Sequence, residues 1–247
     1  SVHESLENIL NRLENDNLTV KVIPDMYDFL SGSVRMDSIY GTPLIQVTRN
    51  LMPPWQKTAK RALDIVVSSL SLFLLSPLYF ITMIAVKFSS PGPIFYLQER
   101  IGKGGKPFNI IKFRSMYVDA EKQGPTLSSD HDPRITPIGR FMRKVRLDEI
   151  PQFYNVLIGE MSLVGPRPER QFFIDQIVKK APHYHHLHKV KPGITSWGMV
   201  KYGYAENVEE MIRRMKFDLL YIENMSLMVD AKILIYTIQT VLLGRGK

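Results

Sequence analysis

The sequence predicts an α+β fold: a mostly helical, membrane-associated domain with a re-entrant membrane helix and a small β-hairpin, preceded by a fragment of an α/β domain. Three observations predict it. A long uncharged apolar segment interrupted by proline indicates a broken membrane helix. Two short segments of strand-forming residues flank a glycine-rich turn, and apolar residues recur at helical spacing in the C-terminal half.

Residues 1–52 are predicted to be the C-terminal remnant of an α/β domain. Apolar residues from Leu6 to Leu13 have helical spacing, residues 18–23 (LTVKVI) predict a strand, and residues 44–47 (LIQV) predict a second strand. This segment is too short to close a hydrophobic core by itself. Because the chain opens with Ser1, we expect it to be part of a longer protein.

Residues 53–88 are predicted to form a linker and a membrane helix. No charged residue occurs between Asp64 and Lys87, a stretch of 22 residues. That length meets the usual threshold for a helix that enters a membrane, with a buried core helix as the alternative.

The break at Ser76 and Pro77 favours a re-entrant helix over a simple span. An interior proline removes a backbone hydrogen bond and kinks a helix, so nearby serine hydroxyls are expected to satisfy the freed carbonyls. Basic residues, including Lys57 and Lys87, flank both ends of the segment. Since positive charge marks the cytoplasmic side, both ends are predicted to lie there.

The next predicted element is the β-hairpin. Residues 94–97 (IFYL) and 108–113 (FNIIKF) flank residues 102–105 (GKGG). A glycine-rich loop beside lysine can cradle phosphate, but without a strand-to-helix context a hairpin turn is favoured.

Composition excludes several kinds of site and indicates an anionic partner. The chain has no cysteine, which excludes a disulfide framework, a thiolate zinc site and a cysteine nucleophile. Its formal net charge of +8 suits nucleic acid, phosphorylated molecules or an acidic membrane surface. No nucleic-acid-binding motif occurs, so we expect no nucleic acid partner.

Asp148 and Glu149 are predicted to stand at a helix N-terminus. Apolar residues from Ile150 to Leu157 form one helical face, with Asp148 suited to the N-cap and Gly159 to the C-terminal cap. The helix dipole favours negative charge there, and a simple capping role is the alternative interpretation.

Basic residues around the two acids favour phosphate chemistry. They are Arg140, Arg143, Lys144, Arg146, Arg167 and Arg170. Guanidinium groups match phosphate geometry, and adjacent carboxylates can hold Mg²⁺ that neutralises a diphosphate. A carboxylate can also attack phosphorus itself. Together with the broken membrane helix, this pattern indicates phosphoryl transfer to a lipid.

The chain from about residue 60 to 247 resembles the bacterial sugar transferase family, the monotopic polyprenyl-phosphate phosphoglycosyl transferases. The motifs that carry the resemblance are residues 60–64 (KRALD), 76–77 (SP), 91–95 (PGPIF), 112–116 (KFRSM), 132–136 (DPRIT), 146–152 (RLDEIPQ), 159–168 (GEMSLVGPRP), 191–195 (KPGIT) and 230–234 (DAKIL). Residues 1–52 resemble the end of the Rossmann-like domain in the long form of the family.

The resemblance implies a reaction and a location. Residues 89–247 would be the cytoplasmic catalytic domain, at the inner membrane of a bacterium. A UDP-sugar would give its sugar-1-phosphate to an enzyme carboxylate with release of UMP. The phosphosugar would then pass to undecaprenyl phosphate and start a polysaccharide. The long form's extra domain suggests a homodimer.

The resemblance also implies roles for individual residues. Asp148 would be the nucleophile, with Glu149 as its partner and Mg²⁺ held at the pair. The residues expected to face the phosphates of lipid or nucleotide are Lys112, Arg114, Arg143, Arg167 and Pro168. Ser76 and Pro77 match the break that makes the membrane helix re-entrant.

Some of the sequence departs from the family pattern. Residues 196–199 (SWGM) replace the usual GWxQ, and residues 201–204 (KYGY) replace the NGR of many members, which places the sugar-side contacts in doubt. Residues 226–243 predict either a core helix or an interfacial helix on acidic headgroups. A noncatalytic membrane scaffold of the same fold is the alternative function, and an assay of UMP release distinguishes the two.

Overall fold

A computed structural model describes residues 21–22, 45–46, 51–120, 124, 126 and 132–242. The chain divides between Leu51 and Met52 into two units. In the first unit, strands β1 (Lys21–Val22) and β2 (Ile45–Gln46) pair antiparallel. Both fall inside strands predicted from the sequence, whereas the predicted helix from Leu6 lies outside the described residues.

The second unit is mostly helical with short strands, which confirms the predicted α+β class. Its elements in chain order are α1 (Pro54–Leu74), α2 (Ser76–Ser89), β3 (Phe95–Ile101), β4 (Pro107–Phe113), α3 (Pro137–Lys144), α4 (Gln152–Ile158), β5 (Ser162–Val164), α5 (Gln171–Lys180), β6 (Gly193–Thr195), α6 (Trp197–Lys201), α7 (Val208–Glu223) and α8 (Leu227–Leu242). Short 3₁₀ turns occupy Lys103–Gly105, Leu147–Glu149 and Pro182–Lys189.

Helices α1 and α2 form the broken helix that the sequence predicts. They meet at Leu75 with a bend of 63°. The Ser76 hydroxyl donates to the carbonyl oxygen of Phe73 at 2.7 Å, so a serine satisfies a carbonyl at the break as expected. Within the described part of the chain, length and composition allow the bent pair, and no one helix, to cross a membrane. Re-entrance itself stays a prediction.

Helix α1 turns polar residues inward, and both helices of the bent pair expose large apolar side chains. The buried side chains of α1 are Asp64 and Ser68. Phe73 and Phe88, by contrast, are 76% and 86% exposed. Since a water-soluble helix buries its apolar face instead, this inversion suits an apolar environment around the pair.

Polar contacts fix the start of α1 to the rest of the second unit. The Asp64 carboxylate accepts hydrogen bonds from the Ser162 hydroxyl at 3.1 Å and the Leu163 amide at 3.0 Å. Lys60 Nζ lies 2.6 Å from the Asp230 carboxylate on α8. Motif residues far apart in the chain therefore hold this helix in place.

Strands β3 and β4 form the predicted hairpin. Their register runs from Phe95 opposite Phe113 to Ile101 opposite Pro107. The turn over Lys103–Gly105 places Gly104 at a φ of 69°, a conformation that glycine adopts without steric cost. The glycine-rich segment thus serves as a hairpin turn.

An apolar cluster joins the hairpin to the helices beside it. Val86, Phe113 and Met142 are buried together, linking α2, β4 and α3. Tyr79 packs its ring 4.8 Å from that of Phe113. The end of the broken helix is therefore anchored beneath the hairpin.

A parallel ladder between β5 and β6 was not predicted. Ser162 lies opposite Gly193, and Val164 lies opposite Thr195. A Cβ atom on Gly193 would come within 2.1 Å of the Gly165 backbone nitrogen, so glycine is required at this close approach. Strands of three residues are too short to show an alternating pattern, which explains why the sequence did not reveal them.

The helix after the two acids begins later than predicted. Helix α4 begins at Gln152, its N-cap residue is Pro151, and no side chain caps it. The prediction that Asp148 caps this helix is therefore wrong, because residues Leu147–Glu149 form a separate 3₁₀ turn and both acids are buried. The predicted C-terminal cap is confirmed, since Gly159 has a φ of 91°.

Helix α8 has one buried and one exposed side. Ile233 is fully buried, whereas Ile235 and Ile238 are more than half exposed. The buried side fits the core-helix interpretation, and the exposed apolar side fits the interfacial one. The position of α8 at a membrane interface stays a prediction.

Candidate active site

The acids lie on a tight turn whose backbone is unusual. Arg146, which precedes the 3₁₀ turn, has a φ of 61° and is the one residue other than glycine with positive φ within the described ranges. Such a conformation is uncommon for a side chain of this size. It turns the chain so that Asp148 and Glu149 both point into the interior, 6% and 7% exposed.

Three cations surround Glu149. Lys112 Nζ lies 3.0 Å from Oε1, Arg146 Nη1 lies 2.9 Å from Oε2, and Arg167 Nη1 lies 4.0 Å from Oε1. Burial opposes ionisation, yet these cations together hold the pKa of the Glu149 carboxyl well below its usual range. Glu149 is therefore an ionised carboxylate.

Asp148 has a different environment although it is the adjacent residue. Its Oδ1 is buried and has no hydrogen-bond partner. Burial, followed by the charge of Glu149, raises the pKa of the Asp148 carboxyl, with Lys112 and Arg143 acting in the opposite direction. The predicted helix dipole does not act on Asp148, because the residue caps no helix, and desolvation outweighs the surrounding cations.

Both acids line a cavity of about 380 Å³. Of the predicted phosphate-binding residues, Lys112, Arg114, Arg143 and Arg167 also line it. Pro168 is not among the described lining residues, and its carbonyl oxygen accepts a hydrogen bond from Arg100 at 3.1 Å.

The cavity wall is strongly cationic. The basic side chains that line it are Arg100, Lys112, Arg114, Arg143, Arg167, Arg170 and Arg214. Three carboxylates, those of Asp148, Glu149 and Glu169, share this wall, which leaves an excess of four positive charges. A cavity with that balance attracts anions, and most strongly those with several charges.

Arg143 projects toward the acids from α3. Its Nε donates to the Ser115 hydroxyl at 2.9 Å. Gly139, one turn earlier, allows α3 to approach this part of the chain, because a Cβ atom there would lie 1.9 Å from the Ser115 carbonyl oxygen. The glycine thus lets the helix carry Arg143 to the cavity.

Arg114 lies at the cavity wall, but its hydrogen-bond partners are backbone carbonyl oxygens. Its guanidinium donates to the carbonyl oxygens of Ser90 at 2.6 Å and Pro91 at 3.0 Å. These carbonyls follow α2 directly, at a helix end whose carbonyls lack partners within the helix. The geometry supports a role in holding the end of the broken helix rather than in binding phosphate.

Several wall residues were absent from the predicted site. Tyr204 covers Arg146 and Arg167. Glu169 is held between Arg100 and Arg214 in a buried network. Nothing local in the sequence indicated that Tyr204 or Arg214 would reach the cavity, whereas the basic residues near the acids, Arg146 included, were visible there.

No group of three or more histidine, aspartate or glutamate side chains suited to a metal ion occurs in the part of the chain that the structure describes. Within the described residues, Asp148 Oδ1 is a buried carboxylate oxygen without a partner, and the cations of the cavity wall can bind anions. The cations can hold a phosphate ester, and the carboxylate can attack its phosphorus atom.

Comparison with known proteins agrees with this chemistry. A family model described as bacterial sugar transferase matches residues 55–244. A UDP-N-acetylgalactosamine-undecaprenyl-phosphate N-acetylgalactosaminephosphotransferase of Aeromonas hydrophila is 40% identical over 241 residues, 97% of this chain and 56% of that protein. A UDP-glucose:undecaprenyl-phosphate glucose-1-phosphate transferase of Escherichia coli K12 is 38% identical over 235 residues, 94% of this chain and 51% of that protein.

A more distant relative is the galactosyl transferase CpsE of Streptococcus agalactiae, 34% identical over 253 residues, 98% of this chain and 55% of that protein. The chain thus spans about half the length of the curated relatives it matches.

Proposed function

The chain belongs to the bacterial sugar transferase family, and we propose that it transfers a sugar-1-phosphate from a UDP-sugar to undecaprenyl phosphate. The reaction releases UMP and produces the lipid-linked diphosphosugar that starts a polysaccharide. The names of relatives support these two substrates, and they include transferases for N-acetylgalactosamine and glucose phosphates. Those names differ in the sugar, so the proposal covers the substrate class rather than one sugar.

One observation carries the proposal: Asp148 places a buried, unpartnered Oδ1 in a cavity whose wall has an excess of positive charge. A buried carboxylate oxygen without a hydrogen-bond donor is costly, and such groups are characteristic of functional sites. Glu149, the adjacent acid, is engaged by cations on both oxygens. Asp148 is therefore the acid of this pair that is available for attack.

The proposed first step forms an aspartyl-phosphosugar. The Asp148 carboxylate oxygen attacks the phosphorus that carries the sugar, and a bond forms between oxygen and phosphorus. The bond from that phosphorus to the bridging oxygen breaks, and the bridging oxygen leaves with its electron pair as part of UMP. Lys112, Arg143 and Arg167 line the same cavity and would neutralise the phosphate charge as it shifts.

The second step returns Asp148 to its initial state. A phosphate oxygen of undecaprenyl phosphate attacks the same phosphorus, and the bond to the Asp148 oxygen breaks. The carboxylate is regenerated and the lipid diphosphosugar leaves. Because each substrate reacts with the enzyme in turn, this chemistry corresponds to ping-pong kinetics.

The residues of the site fit Mg²⁺ in part. Mg²⁺ is commonly bound by one or two carboxylates together with substrate phosphates, and the Asp148 carboxylate could give one oxygen to the ion while the other attacks phosphorus. Glu149 suits it less well, because Lys112 and Arg146 occupy its two oxygens. We therefore propose Asp148 as the principal protein ligand. When bound, the ion would supply charge neutralisation for the diphosphate.

We further propose that α1 and α2 enter the cytoplasmic face of a bacterial inner membrane and return to the same side. The 63° bend and the exposed apolar surface of the pair support this arrangement. Arg114 supports it as well, since it ties the end of α2 to the hairpin that borders the cavity. A lipid phosphate at the membrane surface would then lie near the acids. The homodimer expected from the sequence stays a proposal.

The test is UMP release by the full chain in lipid nanodiscs. With undecaprenyl phosphate and a panel that includes UDP-glucose, UDP-galactose and UDP-N-acetylgalactosamine, we expect at least one donor to yield UMP. Asp148→Asn keeps the size of the side chain but removes the nucleophile, so UMP release should fall by orders of magnitude. Asp175→Asn, on the surface of α5, is the matched control and should leave turnover unchanged.

Omission of the lipid acceptor tests the covalent step. Wild-type protein given a donor labelled in the sugar should retain the label on the chain, and Asp148→Asn should not. Label that appears only when both substrates are present, together with ternary-complex kinetics, would show that Asp148 is not the nucleophile. Absence of UMP release with every donor would favour the scaffold alternative.

A further inference from the structure

Tyr204 lies in the short segment between α6 and α7. It lines the cavity together with Asp148 and Glu149. Building on the proposed function, we propose that Tyr204 is a positioning residue whose ring face holds Arg146 and Arg167 in place to bind the phosphate of the uridine nucleotide.

The ring of Tyr204 contacts both arginines. The Arg146 guanidinium carbon lies 4.8 Å from the ring centroid, and that of Arg167 lies 5.5 Å from it. Both distances are within the range in which the negative face of an aromatic ring attracts a cation. A single side chain thus bridges two cations that come from separate parts of the chain.

Arg167 in particular needs such a contact, because the two oxygens of Glu149 already have closer cations. Lys112 and Arg146 lie within hydrogen-bond distance of its two oxygens, whereas Arg167 lies at 4.0 Å. A second carboxylate would hold Arg167 more strongly but would also cancel its charge. A neutral ring orients a guanidinium and leaves its charge available for phosphate.

The backbone around Tyr204 directs the ring into the cavity. Gly203 has a φ of 92°, and its amide donates to the carbonyl oxygen of Met199 at 3.1 Å. This bond turns the chain sharply at the end of α6, a conformation that glycine adopts readily. Ala205, on the other side of Tyr204, is buried and also lines the cavity.

A second side chain contacts the same arginine. Arg167 Nη1 donates to the Met199 sulfur at 3.0 Å. Sulfur is a weak acceptor, so this contact also leaves the guanidinium charge largely unneutralised. Met199 and Tyr204 therefore act on Arg167 in the same way.

The experiment measures UMP affinity by calorimetry and the KM for the UDP-sugar, with the full chain in nanodiscs. Tyr204→Leu removes the ring, and we expect UMP affinity to fall about tenfold and KM to rise by a similar factor. The change in kcat should be smaller. Tyr204→Phe retains the ring face and should stay within about twofold of wild type. Tyr202→Leu makes the same change two residues earlier, at a side chain that is not among the described lining residues, and should behave as wild type.

A series of fluorinated phenylalanines at position 204 keeps the test independent of folding. Each fluorine weakens the negative face of the ring without removing it, so UMP affinity should fall stepwise along the series. A flat series would overturn the inference. Equal losses in Tyr204→Phe and Tyr204→Leu would also overturn it, since the hydroxyl group would then be the important part.

The same measurements separate this inference from the proposed function. Failure of the wild-type chain to release UMP from any donor and to bind UMP contradicts the proposed function. Wild-type release combined with a flat fluorine series contradicts only the role of Tyr204.

Discussion

Lys112 and Glu149 form a largely buried ion pair, with 3.0 Å between Nζ and Oε1. The pair joins the last strand of the hairpin to the turn that carries both acids. It gives Glu149 a fixed partner, whereas the neighbouring Asp148 has a buried oxygen that lacks one. Two adjacent acids thus differ in their partners, and only Asp148 has a carboxylate oxygen left open for chemistry.

The Lys112–Glu149 pair should contribute strongly to stability. Glu149→Gln leaves the buried Lys112 ammonium facing a neutral amide, which we expect to cost about 3–5 kcal/mol of unfolding free energy. A double-mutant cycle with Lys112→Met measures the coupling from thermal unfolding in detergent. The exposed Lys180–Glu209 pair is the matched control and should show little coupling. Equal coupling for the two pairs would contradict the prediction.

The pH dependence of UMP release should reflect the raised pKa of Asp148. Attack requires the carboxylate, so kcat/KM should fall as pH decreases through a value above the ordinary pKa of aspartate. Arg143→Gln removes a cation that lowers this pKa and should move the acid limb to higher pH. Glu149→Gln removes the anion that raises it, which should move the limb to lower pH.

The measurement is kcat/KM as a function of pH for the wild type, Arg143→Gln and Glu149→Gln. Shifts of both variants in the same direction, or an acid limb at the ordinary aspartate value in wild type, would contradict the assignment.

Arg114 should affect stability rather than substrate affinity. Arg114→Met removes the donors for the carbonyl oxygens of Ser90 and Pro91, and leaving the buried Ser90 acceptor unsatisfied costs about 1–3 kcal/mol. The melting temperature should fall while the KM for the UDP-sugar remains near that of wild type. Arg143→Met provides the contrast, because it should raise KM. A rise in KM for Arg114→Met equal to that for Arg143→Met would restore Arg114 as a phosphate ligand.

Both ends of the bent helix pair should be on the cytoplasmic side. Cysteines introduced at Lys57 and Lys87 should resist an impermeant reagent added to intact spheroplasts, and the absence of native cysteine makes the readout specific. Labelling of either site from the periplasm would contradict re-entrance. Pro77→Leu should straighten the pair and expose position 87 to the reagent.

Local features of the sequence were sufficient to predict several elements. The proline after Ser76 marks the bend between α1 and α2, and glycine at 159 marks the end of α4, since both residues act through their own backbone preferences. The hairpin followed from two strand-forming segments around a glycine-rich turn. The proximity of Asp148 to basic residues was also visible, because several of them are near neighbours in the chain.

Other properties depended on contacts between distant residues and could not be predicted. The parallel ladder of β5 and β6 joins segments about thirty residues apart through a close approach of Gly165 and Gly193. Arginine is a residue type that binds phosphate, yet the partners of Arg114 are carbonyl oxygens at the end of α2. The direction of the Asp148 pKa shift depends on burial, which the order of residues does not specify.

The sequence by itself determined the hairpin, the position of the break between α1 and α2 and which acids and bases are available, because backbone preference and hydrophobic spacing act over a few residues. Only the tertiary structure decided which acid has an unpartnered oxygen, which arginine binds carbonyls and which ring holds Arg146 and Arg167. Charge, desolvation and ring contacts act through space, and their strength depends on distances that folding sets.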